Sequence, residues 1–365
     1  MKPLSEIIRR EIARRGVLPF DRFMELALYC PNHGYYETNR DNPGRRGDFY
    51  TSVGVGEMFG ELLAWQFAEW IQSNIQCPMS NVRIVEAGAH DGKLAGDILA
   101  WLRAKRPELF EQIEYWILEP SIARQEWQRE TLKDFRPRVR WLSRFSDSMN
   151  QRFNGIIFSN ELLDAMPVHR YGWDAKSRKW FEWGVAVEAD KFVWAKVVNA
   201  ECGTRSAECH VPSMLLEVLP DGYIVEACPA AENWWREAAS VLGQGRLVTI
   251  DYGLTADDLF SPGRQSGTLR AYHRHQVSDD LLANVGEQDL TAHVNFSAIQ
   301  KAGEEAGLKT EGFQTQAQFL TEVLAKASKS GSLGEWSSAQ VRQFQTLTHP
   351  EHLGRAFRVL VQSRV

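Results

Sequence analysis

From residue 81 onward, short strand-forming runs alternate with helical patterns, and this alternation constrains the fold more than any other feature of the chain. The runs VRIVEAG, EYWILEP, GIIFSN and GRLVTIDYG have the apolar, β-branched character of buried strands. Between them, LAGDILAWLRAK, IARQEWQRETLKDF and residues 232–242 have the apolar spacing of helices. Strands that alternate with helices in this way predict a parallel sheet with helices covering its faces, and hence an α/β fold.

The chain then continues with a helix in FSAIQKAGEEAG, a strand in GLKTEGF and a terminal strand in LGRAFRVLVQSR. This order predicts the Rossmann-like seven-stranded sheet of class I methyltransferases, because a nicotinamide dehydrogenase does not usually end in this way. Residues 1–80 carry three apolar stripes at helical spacing, which predicts an N-terminal helical cap. Residues 81–365 then form the cofactor-binding domain, with insertions at about 167–225 and 254–294. Aromatic and polar residues alternate over 168–200, so the first insertion is predicted to be antiparallel and β-rich.

Composition excludes several classes of function. The 42 Lys and Arg residues against 47 Asp and Glu residues leave a formal charge of -5, which is too mild for nonspecific binding to nucleic acid. The five cysteines are scattered without a CxxC pair, so we expect reduced thiols, no disulfide framework and no metal site. No run reaches the about 18 apolar residues that a membrane span requires. These features predict a cytoplasmic protein that does not bind a membrane; the oligomeric state stays open, a dimer included.

A glycine turn follows the first strand of the alternation, in VEAGAHDGKL. Gly88 and Gly92 would let backbone N–H groups approach a ligand, whereas His90 and Lys93 occupy the remaining glycine places of the dinucleotide fingerprint. Glu119 ends the next strand, where a carboxylate can accept hydrogen bonds from both hydroxyls of a ribose. An ordinary strand-to-helix turn and an exposed strand-end carboxylate are the alternatives. Together, the two features favour a nucleoside cofactor.

Several longer motifs resemble a known family, the MidA-like methyltransferases, which include arginine methyltransferases that act on a respiratory-complex subunit. The motifs are FMELALYCPNHGYYE, GDFYTS, LEPS, SNELLDAMPVHR, IDYG and GTLRAYHRHQVSDDLLANVGEQDLTAHVNFSAI. The resemblance implies S-adenosyl-L-methionine as cofactor, methyl transfer to an arginine, and a protein substrate, with a respiratory-complex subunit among the candidates. The chain departs from the family at Ser52, Val53 and Gly54, where S-P-E is usual, and at His90, which replaces a glycine. The cofactor-binding residues that we predict are Glu86, Gly88, His90, Gly92, Glu119 and Asn160.

The catalytic candidates follow the fourth strand, in NELLDA. If ELLDAM begins a helix before Pro167 ends it, Glu161 and Asp164 lie on one face, and two carboxylates can hold a guanidinium and accept its proton. The alternative is structural: Asn160 caps the helix, and the acids complement its dipole.

A second polar run, DLTAHVNF, precedes the last crossover helix. His293 is a candidate proton acceptor, and the predicted substrate-binding residues are Asp251, Tyr252, Asp289 and Thr291. A satisfied structural histidine and an aspartate that caps a turn are the alternatives. Three functions therefore compete: a protein arginine methyltransferase, a non-catalytic assembly or binding protein on a methyltransferase scaffold, and a small-molecule methyltransferase. The sequence does not distinguish mono- from dimethylation.

Overall fold

The structure is a computed structural model that describes residues 3–38, 51–73, 82–147, 152–197, 211, 213–261, 263–273, 276–331 and 335–365. The helices over these residues are α1 (Pro3–Arg15), α2 (Phe20–Tyr29), α3 (Tyr35–Thr38), α4 (Ser52–Val55), α5 (Met58–Ser73), α6 (Lys93–Lys105), α7 (Pro107–Gln112), α8 (Ile122–Thr131), α9 (Pro229–Val241), α10 (Ala256–Leu259), α11 (Phe296–Glu305), α12 (Gln316–Lys329) and α13 (Ser338–Thr348). Short 3₁₀ turns cover Lys133–Phe135, Phe145–Asp147 and Ser213–Glu217.

The strands over the same residues are β1 (Leu18–Pro19), β2 (Val82–Ala87), β3 (Glu114–Leu118), β4 (Val139–Leu142), β5 (Phe153–Asn160), β6 (His169–Asp174), β7 (Lys179–Glu188), β8 (Lys191–Lys196), β9 (Ile224–Ala227), β10 (Leu242–Leu254), β11 (Arg270–His273), β12 (Gln276–Ser278), β13 (Asp289–Thr291), β14 (Val294–Asn295), β15 (Lys309–Thr315) and β16 (Phe357–Arg364). Each of the six strand runs predicted for the main sheet overlaps one of these strands.

The main sheet has the strand order β15-β16-β10-β5-β2-β3-β4, and β14 pairs with the end of β10. The strands from β4 to β10 are parallel, whereas β16 runs antiparallel to both β10 and β15. The carboxyl ends of β2, β3, β5 and β10 therefore share one edge of the sheet. This arrangement confirms the predicted class I methyltransferase sheet and its terminal strand, and the structure shows that this strand is antiparallel to its neighbours.

Apolar strands and helices bury the main sheet. All but one of the residues of β2 are buried, and α5 and α6 contribute much of the same core, with Phe59, Leu62, Ile98 and Leu99 without exposed surface. Ser121 caps α8, because its Oγ accepts the N–H of Arg124 at 3.3 Å. This cap starts α8 directly after the end of β3 and so brings its first turns to the carboxyl edge.

The insertion is antiparallel, as predicted. One sheet has the order β1-β7-β6-β9 with β8 paired to β7, and a second has the order β12-β11-β13. Residues of α1 and α2 form one core with residues of these strands, among them Ile8, Phe23, Val185 and Leu290. The N-terminal helices therefore exist, and α1 and α2 pack with the insertion.

Contacts divide the chain into two units that are each discontinuous in sequence. The first unit contains Met1–Asn39, Leu163–Asn233 and Gly253–Ile299, and the second contains Arg40–Leu162, Trp234–Tyr252 and Gln300–Val365. The linear division near residue 80 falls within 74–81, outside the described residues, and stays a prediction. Over the described residues, no helix is long and apolar enough to cross a membrane.

Two local predictions differ from the structure. The residues of ELLDAM form a bend and turns, and no helix begins there, because Glu161 has the left-handed φ of 51°. The helices α12 and α13 were not expected between the last two strands. Each begins with a capping box, at Thr315 with Gln318 and at Ser337 with Gln340, which is a sequence signal that could have revealed them. Part of the GDFYTS motif, residues 47–50, lies outside the described residues.

Candidate cofactor and catalytic site

The turn after β2 has the left-handed backbone that its glycines allow. The φ angles are 74° at Gly88, 45° at His90 and 86° at Gly92, so His90 accepts the conformation of the glycine it replaces in the family motif. A Cβ atom on Gly88 would lie 2.8 Å from Leu162 Cδ1, and one on Gly92 would lie 3.3 Å from Gln128 Cα. Both positions are therefore restricted by backbone angle and by close neighbours.

Glu119 follows β3 and has no exposed surface. Its Oε1 accepts the N–H of Ser121 at 2.9 Å and lies 3.0 Å from Arg124 Nη2, and its Oε2 accepts from Gln128 Nε2 at 3.2 Å. A strand-end carboxylate thus sits at the predicted position. Protein donors hold it on both oxygens.

Gln128 links the two predicted cofactor elements. Its buried amide donates to the carbonyl of His90 at 3.0 Å as well as to Glu119, and its Oε1 accepts from Trp141 Nε1 at 2.9 Å. The side chain therefore fixes the distance between the glycine turn and the acid that follows β3.

Glu86 lies inside β2 and is buried. Burial raises the pKa of its carboxyl to about 8, although a hydrogen bond from the hydroxyl of Tyr115, at 2.6 Å, opposes this shift. The side chain is therefore mostly protonated at pH 7 and packs inside the sheet. Its role in cofactor binding stays a prediction.

Glu161 follows β5 at the same edge of the sheet and is half-buried. Its N–H donates to the carbonyl of Ile250 at 2.9 Å, and its Oε1 accepts from Ser52 N at 3.2 Å and from Asn160 Nδ2 at 3.1 Å. Burial raises the pKa of this carboxyl to about 7, while those two bonds lower it and the nearby Asp251 raises it. Among the described residues, none donates to Oε2.

Two buried polar atoms at this edge lack a hydrogen-bond partner among the described residues: Asn160 Oδ1 and His90 Nε2. Buried polar atoms normally have partners, so both atoms are available to a bound ligand or to water. Asn160 does not cap a helix, because none follows it.

Asp251, near the end of β10, stabilises the turn after β5. Its buried carboxylate accepts the N–H of Leu162 on Oδ2 at 3.1 Å and the N–H of Tyr252 on Oδ1 at 2.8 Å. The ring of Tyr252 packs against Phe357. These contacts show a structural function for Asp251, and substrate binding by Asp251 and Tyr252 stays a prediction.

We expect Asp251→Asn to lower the free energy of unfolding by about 1 to 3 kcal/mol, because an amide NH₂ would replace an oxygen that accepts a buried N–H. Urea titration followed by circular dichroism measures this effect. Unchanged stability together with weaker binding of the methyl acceptor would favour the substrate-binding role instead.

The other predicted residues, Asp164, Asp289, Thr291 and His293, belong to the first of the two units. The buried carboxylate of Asp289 accepts from the hydroxyl of Tyr36 at 3.0 Å and from Leu290 N at 2.8 Å. Thr291 pairs with Arg270 in the sheet, and the carbonyl of Asp164 accepts from Ala292 N at 2.9 Å. Glu161 and Asp164 lie on no common helix face, because the helix that would align them does not form.

His293 also lies in this unit. Burial lowers the pKa of its imidazole to about 4, and the charges of Arg264 and Arg270 lower it further. The ring is therefore neutral at pH 7 and is a weak base. Its role as a proton acceptor stays a prediction, with this pKa against it.

Sequence reasoning missed Ser52, Arg124 and Gln128. Arg124 and Gln128 are four residues apart on α8, so their spacing predicts that both lie on one face of that helix. No local signal connects Ser52 with Glu161, because 109 residues separate them.

The chain is similar to known proteins over most of its length. A profile of the family described as "Putative S-adenosyl-L-methionine-dependent methyltransferase" matches residues 62–314. A crystal structure from Burkholderia thailandensis, described as a "likely methyl transferase" bound to S-adenosyl-homocysteine, has 33% sequence identity and a TM-score of 0.81 and covers 99% of this chain and 92% of its own. The chain belongs to the MidA-like family of S-adenosyl-L-methionine-dependent methyltransferases.

The names of more distant members of the family state which residue they methylate. The mitochondrial protein arginine methyltransferase NDUFAF7 homolog of Drosophila melanogaster is 26% identical over 98% of this chain and 84% of its own length. The human protein arginine methyltransferase NDUFAF7 is 26% identical over 97% of this chain and 82% of its own length. The resemblance seen in the sequence motifs is thus confirmed along nearly the whole chain.

The residues at the carboxyl edge fit the cofactor of this family. S-adenosyl-L-methionine carries a ribose diol, an ammonium and a carboxylate. The buried acid at Glu119, the left-handed turn at Gly88–Gly92 and the unpartnered atoms of His90 and Asn160 offer a charged acceptor, backbone N–H groups and further polar contacts. We expect Glu119 to hold the ribose and the turn to lie beneath the amino-acid end.

Proposed function

We propose that this methyltransferase transfers methyl groups to an arginine side chain of a protein. The observation that carries the proposal is Glu161, a carboxyl group at the end of β5 that is held through one oxygen and has a pKa raised to about 7. A carboxylate in this place can bind a guanidinium by a charge-assisted bond. The names of the distant relatives support the same acceptor class.

The bound cofactor supplies an electrophilic methyl group on a sulfonium. Glu161 Oε2 accepts a hydrogen bond from the acceptor nitrogen, orients it, and takes its proton as the methyl group is transferred. Asn160 donates from Nδ2 to Oε1 and so helps to orient the carboxylate, while its Oδ1 stays a proposed contact to the cofactor. Ser52 N keeps the carboxylate in place during these steps.

The pKa values favour Glu161 over His293 as the proton acceptor. A general base works best when its pKa lies near the working pH, which is true of a group at about 7 and not of one at about 4. Asp164 and His293 remain proposed catalytic residues, and Asp251, Tyr252, Asp289 and Thr291 remain proposed contacts to the protein substrate.

The direct test is to incubate the enzyme with a cell extract and methyl-labelled cofactor and to locate the label by mass spectrometry. We expect label on arginine residues of one or a few proteins, and we expect these proteins to be cytoplasmic. Label in small molecules alone would contradict the proposal and support a small-molecule methyltransferase.

A second candidate function is a non-catalytic binding protein on the same scaffold. Two observations favour it. The carboxylate of Glu119 already contacts Arg124 and Gln128, and His90 places an imidazole where the family has a glycine. Loss of cofactor binding would accompany such a function.

We therefore expect calorimetry to detect S-adenosylhomocysteine binding and to detect no saturable binding of NADH. The reason is that His90 and Lys93 fill positions where close approach of a pyrophosphate requires glycine. Saturable micromolar binding of NADH without binding of S-adenosylhomocysteine would contradict the cofactor site, and binding of neither would support the scaffold.

A further inference from the structure

Glu119 lies at the edge of the sheet where ligands bind, yet none of its surface is exposed. The guanidinium of Arg124 contacts it, with Nη2 3.0 Å from Oε1 and with side-chain exposures of 12% for the arginine and 1% for the glutamate. A ribose diol cannot reach a carboxylate that is covered in this way. One of the covering groups must therefore move before Glu119 can bind a nucleoside.

Two of the groups that donate to the Glu119 carboxylate are held in place. The N–H of Ser121 is main chain, and the amide of Gln128 is held by the carbonyl of His90 and by Trp141. Arg124 differs, because it reaches the carboxylate with a long side chain from the first turn of α8. The cap of α8 does not depend on that side chain, because it uses the backbone N–H of Arg124.

We infer that Arg124 is a latch on the ribose position: the cofactor binds Glu119 only after the guanidinium has left Oε1. The inference rests on the proposed binding of the ribose by Glu119. In the latched state a full positive charge occupies the place of the neutral hydroxyl donors, so the latch lowers the affinity for the cofactor in proportion to the fraction of time it is closed. Arg124 is in this sense a positioning residue that sets cofactor affinity.

The test is calorimetric titration of the full chain with S-adenosylhomocysteine. If the latch is open for about a tenth of the time, Arg124→Leu should bind the ligand about tenfold more tightly than the unchanged protein. Arg140→Leu is a matched control, because Arg140 lies near the start of the neighbouring strand β4, pairs with Glu114 at 3.0 Å and is 65% exposed; the affinity of this variant should not change. Arg124→Leu added to Glu119→Gln should give no gain.

Thermal unfolding without ligand provides a second readout. Arg124→Leu should lower the midpoint, because Glu119 loses its cationic partner, and saturating S-adenosylhomocysteine should raise the midpoint by more than it does in the unchanged protein. If the leucine variant does not fold, Arg124→Lys keeps the charge without the planar guanidinium and should bind the ligand more tightly by a smaller factor.

The failure of the latch and the failure of the proposed ribose contact give different results. If Glu119→Gln weakens binding but Arg124→Leu and Arg124→Lys do not tighten it, the latch alone is wrong. If Glu119→Gln leaves the affinity unchanged, Glu119 does not hold the ribose, and both the assignment and the latch are overturned.

Discussion

Glu161→Gln is expected to slow methyl transfer by about 100-fold or more and to leave the affinity for S-adenosylhomocysteine unchanged. The amide keeps the shape of the side chain but can neither accept a proton nor attract a cationic acceptor. Cofactor affinity should not change, because Glu161 follows β5, whereas Glu119 and the glycine turn, which we expect to hold the ribose and the amino-acid end, follow β3 and β2. Single-turnover rates and calorimetry on the same variant measure both quantities. Glu108→Gln, an exposed position on α7, is the control and should have a normal rate.

The same residue predicts the pH dependence of the reaction. A base must be ionised to accept a proton, so the single-turnover rate should rise with pH through a midpoint near 7 and level off above it. The glutamine variant should lack this rise. An unchanged midpoint in that variant would assign the titration to another group.

Stability should respond in the opposite direction. The pKa of Glu161 is raised in the folded state, so between its ordinary value and about 7 the folded protein binds more protons than the unfolded chain, and stability falls as pH rises through that window. Glu161→Gln cannot ionise and should therefore lose less stability than the unchanged protein between pH 5 and pH 8. A normal rate combined with a lower thermal midpoint at all pH values would overturn the catalytic role. The structural alternative, in which Glu161 complements a helix dipole, does not apply, because no helix begins directly after Asn160.

The fold was predictable because its strands are buried on both faces. β2, β3, β5 and the middle of β10 are almost continuously apolar, and the helices between them repeat at their own period, so each element was recognisable without its neighbours. The segment from residue 316 to 348 was missed because its polar and charged residues obscure the apolar spacing of two helices.

The site was predictable only where it depends on strand ends. Glu119 and Glu161 follow β3 and β5, and parallel strands bring such residues to one edge. What holds each carboxylate could not be predicted. Ser52 reaches Glu161 from a distant segment, and the left-handed φ of Glu161 replaces the helix that its neighbours suggested. A backbone angle of this kind in a non-glycine residue depends on tertiary contacts, here the bonds of Asp251 and Ile250 to the same turn.

Glu119→Ala is expected to weaken the binding of S-adenosylhomocysteine by about 1 to 3 kcal/mol, or about 5- to 150-fold, the cost of leaving a ribose diol without its charged acceptor. Calorimetric titration measures the change. Glu114→Ala is the matched control, because Glu114 stands at the opposite end of β3 and pairs with Arg83 and Arg140. Its variant should bind the ligand normally.

Stability separates this binding role from a purely structural one. Glu119 also joins Ser121, Arg124 and Gln128, so its removal should lower the thermal midpoint of the free protein as well. A structural role alone would lower that midpoint but leave the affinity of the remaining folded protein unchanged. If Glu119 binds the ribose, Glu119→Ala should bind S-adenosylhomocysteine more weakly even at low temperature, where this variant and the Glu114→Ala control are both fully folded. If the affinity of Glu119→Ala for S-adenosylhomocysteine at low temperature is normal, Glu119 only stabilises the packing of α8 on the sheet. The ribose contact must then come from another residue at the same edge.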